Sequence, residues 1–155
     1  MPYSKTENRY RSATLITSFA ITVNGDMPHV RKGDLAIGIL SKQMDIIFKQ
    51  RKPIEGKIHA ITEELAKEML PWVRKGDDRV LSKMRIIAGS AVERIVKAEV
   101  VAVSKSGQLS VGEKLAAMEK LETQVKGLSW LPEGLKSSIM VDMAFARADI
   151  RSQTP

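Results

Sequence analysis

From Ile37 to Ile150 the apolar residues recur at spacings of three and four. Only an α-helix turns that spacing into one continuous face. The recurrence breaks where helix-stopping residues fall, so it predicts about five helices. Asp34 is a good N-cap for the first, which should run over about 34–51 through Ile37, Leu40, Met44, Ile47 and Phe48. Pro53 suits the start of the second, because a missing N–H does no harm there. Ile54, Ile58, Ile61, Leu65, Met69 and Trp72 form its stripe. Pro71 is expected to end or kink this helix near Leu70. Arg74-Lys75-Gly76 reads as a C-terminal signal, with cations at the negative end of the dipole.

Asp77 and Asp78 open the third helix, over 77–104. Its stripe is Leu81, Met84, Ala88, Ala91, Ile95, Ala98 and Ala102, flanked by Val80, Ile87, Val92, Val96 and Val100. So wide an apolar arc places this helix at the middle of the bundle. Ser106-Gly107 ends it. Ser110 and Glu113 have the spacing of a capping box, followed by Val111, Leu115, Met118, Leu121, Val125 and Leu128. That helix should stop near Gly127. Trp130-Leu131-Pro132 connects to the last helix, about 132–150, carrying Leu135, Ile139, Met143, Ala146 and Ile150.

The beginning of the chain reads differently. Residues 1–11 are polar and suit an arm. Over 13–23, β-branched residues alternate and Asn24-Gly25-Asp26 follows as a turn signal, so a strand is expected, with a helix as the alternative. The backbone groups of a lone strand need partners, which a second copy of the chain would supply. A strand followed by two helices resembles, in order of elements, the ribbon-helix-helix DNA-binding proteins. Here ten residues, 24–33, separate strand from helix, whereas that module runs almost directly from one to the other; the chain is not assigned to it. The expected organisation is mainly α: an extended arm over 1–33, one helical bundle over 34–151 and a tail over 152–155.

Few catalytic chemistries find their residues here. There is no cysteine, which removes thiolate nucleophiles, disulfides and Cys-ligated zinc. His29 and His59 are the only histidines and do not have metal-ligand spacing. No glycine-rich phosphate loop is present. Gly89-Ser90-Ala91 lacks the second glycine of a nucleophile elbow, and Ser90 reads as a small residue allowing close helix approach. The paired carboxylates Glu63/Glu64, Asp77/Asp78 and Glu119/Glu122 are accounted for by capping and solvated faces. A non-enzymatic protein with no cofactor and no metal is expected. No run of about 20 apolar residues occurs, and the Thr-rich stretch 12–25 lacks a signal-peptide cleavage pattern, so a cytoplasmic, unprocessed chain with no membrane contact is expected.

What remains is charge. Residues 1–105 carry nineteen Lys/Arg against twelve Asp/Glu; residues 106–155 carry six of each. A basic surplus favours phosphate-bearing partners. The candidate nucleic-acid-binding residues are Arg31, Lys32, Lys49, Arg51, Lys52, Arg74, Lys75, Arg79 and Lys83, which would converge if the first three helices pack side by side. Scarce aromatic residues point to duplex or structured nucleic acid rather than single strands. The wide apolar arc and the methionine content also suit a protein partner or a homo-oligomer formed through 110–150. The alternative function is an adaptor, assembly subunit or inhibitor that makes no nucleic-acid contact.

Overall fold

The computed structural model describes residues 29–153. The arm and the strand expected over 13–23 lie outside the described residues. The chain divides into two units, Met1–Leu35 and Ala36–Pro155. The fold is mainly α. Five helices follow one another among the described residues: α1 His29–Lys49, α2 Ile54–Lys75, α3 Asp78–Lys105, α4 Val111–Lys126 and α5 Glu133–Arg151.

Helix α3 is the hub, packing on α2, α4 and α5. Val80, Leu81, Met84, Ala88, Val92, Ile95 and Val96 are all buried along it. Leu40, Met44 and Ile47 of α1 join Ile61, Leu65 and Trp72 of α2 in the same core. Burying a side chain of this kind contributes about 1.5–3 kcal/mol. A second cluster of Val103, Met118 and Ile150 closes the far end of α3 against α4 and α5. The last turn of α1 is pinned from both sides. Lys57 donates to the Phe48 carbonyl at 2.7 Å, and the Arg94 guanidinium lies 3.8 Å from the Phe48 ring centre while bonding Asp45 at 2.7 Å.

Four local expectations are corrected. Helix α1 starts at His29 rather than Asp34, so Asp34 lies inside it. Pro28 precedes it in sequence, the residue type suited to a helix start. Of the two outcomes expected at Pro71, an end or a kink, the first is overturned: α2 runs on to Lys75. Pro71 is exposed, so the lost N–H is taken from the solvent side, and buried Trp72 holds the following turn against the core. Ala98 and Ala102 are exposed, because the buried arc of α3 turns through Val96 to Val103 instead. Finally, Ser90 is exposed and its neighbour Gly89 makes the close approach. A Cβ at Gly89 would stand 2.7 Å from Leu135 Cδ1 and 3.1 Å from Leu131 Cδ1. The α4–α5 connection therefore sits directly on the α3 backbone.

Candidate polyanion-binding surface

The junction of α2 and α3 is built tightly. Gly76 takes a left-handed conformation (φ 68°), which glycine adopts without a Cβ clash. Its N–H bonds the Val73 carbonyl at 3.0 Å, and the N–H of Asp77 bonds the Trp72 carbonyl at 3.1 Å. The Asp77 carboxylate accepts from the Val80 N–H at 3.2 Å and starts α3 at once. Two residues thus reverse the chain. The reversal brings the last turn of α2, with Arg74 and Lys75, beside the first turns of α3, with Arg79 and Lys83. Trp72, Val80 and Leu81 are buried beneath.

All four cations are exposed. Arg79 and Lys83 share one face, about 6 Å apart along the axis. Lys75 Nζ lies 4.4 Å from the Trp72 ring centre, a cation–π contact that steadies it. Among the described residues, no carboxylate oxygen lies within 4 Å of any of the four.

The other candidates lie elsewhere. Lys49, Arg51 and Lys52 are exposed around the α1–α2 connection. That is the opposite end of α2, about 32 Å from Arg74 along the helix. Lys52 lines a cleft with Glu55, Glu99, Lys120 and Gln124, and Glu55 pairs with Lys120 at 2.9 Å. Acids are interleaved with cations there. Lys32 is exposed in α1 and belongs to the unit Met1–Leu35; Arg31 lies in the first turn of α1. So the structure gathers four of the nine candidates on one hairpin tip and sets three at the far end of α2.

Several cations have structural work instead. Lys114 is buried; its Nζ donates to the Ser104 carbonyl at 2.9 Å and to Gln153 Oε1 at 2.8 Å. Arg147 bonds the Glu122 carboxylate at 2.7 Å, both half-buried. Neither job was visible in sequence, since the partners lie 39 and 25 residues away. Two carboxyls are shifted. Burial, then the neighbouring Glu64, raise the Glu68 carboxyl above its usual range against an opposing pull from Lys67. The Ser110 backbone N–H and hydroxyl hold the Glu113 carboxyl below it.

Among the described residues, no three His, Asp or Glu side chains come together as a metal site. No described helix is long and apolar enough to cross a membrane. His59 is exposed and 3.1 Å from Glu63. Comparison with protein-family models, curated proteins and solved structures finds no match to this chain.

Proposed function

We propose that this chain is a non-enzymatic, nucleic-acid-associated protein that grips the phosphate backbone of a duplex or structured nucleic acid with the α2–α3 tip. One observation carries the reading: Arg74, Lys75, Arg79 and Lys83 flank a single two-residue reversal, exposed and with no carboxylate oxygen within 4 Å among the described residues, so the four cations outnumber Asp77 and Asp78 at this tip. Cations so held neutralise phosphates and release counterions. The four provide position and affinity, while sequence readout would need base contacts.

Anisotropy of a labelled DNA duplex and a labelled RNA duplex tests this. With four phosphate contacts, affinity should fall about 10²-fold between about 50 and 200 mM salt. Replacing all four cations by alanine should abolish most of that dependence, and replacing Lys49, Arg51 and Lys52 should change it much less. A wild-type protein with no salt-sensitive binding to either duplex ends the reading. The adaptor reading draws support from a different observation: Val141 and Phe145 of α5 are large and exposed, Phe145 at 72%.

A further inference from the structure

We propose that the face formed by α3 and α5 receives a second copy of this chain, related by a two-fold axis that runs along both helices. The two helices lie side by side and point the same way. Leu135 meets Gly89, Ile139 shares a groove with Val96 and Val100, and Asp149 accepts from Ser104 at 3.3 Å. Residue numbers rise together along the pair, so each level of α5 has a fixed counterpart on α3.

The exposed rows on these helices are complementary in charge. On α3, Lys97, Val101 and Lys105 follow at spacings of four, and all are exposed. On α5, Asp142, Phe145 and Asp149 follow at three and four, and all are exposed. One row reads cation, apolar, cation; the other reads anion, apolar, anion. Lys97, Asp142 and Glu93 line the same groove, where Lys97 Nζ stands 3.9 Å from the Glu93 carboxylate, and the floor is Val96, Val100 and Ile139.

A two-fold axis along the helices lays the α3 row of one copy over the α5 row of the other, at the same height. Asp142 then faces the partner's Lys97, Phe145 faces the partner's Val101, and Asp149 faces the partner's Lys105. Each contact occurs twice, as an isologous interface requires. An axis across the helices would instead set lysine against lysine and aspartate against aspartate. Charge therefore selects the first arrangement over the second. The apolar centre is Phe145, 72% exposed, with Val101 at 50%. This inference stands apart from the polyanion reading, because it uses none of the four tip cations.

The test is a charge swap read by light scattering of the full chain over a concentration series. The wild type should show twice the 17.2 kDa chain mass. Variant one carries Lys97→Glu and Lys105→Glu; variant two carries Asp142→Lys and Asp149→Lys. Each alone has like-charged rows and should be monomeric where the wild type is dimeric, with dissociation weakened at least about tenfold. Mixed one to one, they should recover the dimer mass, since every opposed pair is again of opposite sign. Far-UV circular dichroism checks the fold, and if either swapped variant loses helix, Phe145→Glu and Val101→Glu are read in its place, each expected to be monomeric. A wild type that stays monomeric overturns the proposal. So do folded variants that dimerise as the wild type does, or folded swap variants that stay monomeric when mixed.

Discussion

The two ends of α3 use the same residue types in opposite ways. At its start, Arg74, Lys75, Arg79 and Lys83 are exposed and, among the described residues, none has a carboxylate oxygen within 4 Å, although Asp77 and Asp78 lie in the same reversal. At its finish, Lys114 is buried against the Ser104 carbonyl and Gln153, and nearby Arg147 is locked to Glu122. The first group leaves its charge available to an outside partner. In the second, Lys114 caps the Ser104 carbonyl at the C-terminal end of α3, where a cation also opposes the helix dipole, and Arg147 is neutralised by Glu122. Net charge alone would count both groups alike. What separates them is burial and partnership, so the comparison makes distinct claims about stability and about binding.

The largest expected effect on stability is at the finishing end. Lys114→Ala removes a buried charged donor from the half-buried Ser104 carbonyl and from exposed Gln153, and should cost about 1.5–3 kcal/mol. Urea unfolding measures it, and duplex affinity should stay put. Arg79→Ala, at the other end, should leave stability within about 0.5 kcal/mol. If the two variants behaved alike in unfolding, the contrast between the ends would collapse. Next comes the seam between α3 and the α4–α5 connection. Gly89→Val must push Leu131 and Leu135 off the α3 backbone and should cost about 2 kcal/mol. Gly38→Ala, with nothing within 4 Å of the new Cβ, should instead stabilise by about 0.5–1 kcal/mol. Thermal melts of the pair should shift in opposite directions.

A cap at the start of α4 sharpens the finishing end further. Ser110→Ala removes the α4 cap and should cost about 1 kcal/mol. The partner in that capping box, Glu113, has a carboxyl held below its usual range. Its contribution is therefore complete above the ordinary carboxylate pKa and is lost as pH falls through the lowered value. A pH series of melts should show the deficit of Glu113→Ala shrinking in that acid window, and that of Ser110→Ala, which keeps the backbone N–H that holds the carboxylate, changing much less.

Helix periodicity carried most of this architecture, because α2 to α5 bury single stripes between clear stop signals. It misplaced the start of α1, where Asp34 looked like a cap although nothing upstream blocked the helix. It also missed Gly89, because the leucines that crowd that residue lie more than forty positions along the chain. The convergence of Arg74 with Lys83 was legible in part: both flank a glycine and two aspartates that announce a reversal. The separation of Lys49, Arg51 and Lys52 from them was not. It follows from the length of α2, which holds its two ends about 32 Å apart, and the periodicity of a stripe says nothing of which helix ends meet.

The length of α3 has one more consequence. Its 28 residues form a single rod of about 42 Å, with the reversal at one extremity. Two copies aligned about an axis along that rod would both aim their reversals in the same direction. A polymeric anion could then be held at two points by one dimer, and the second attachment would draw on local concentration rather than on any new contact.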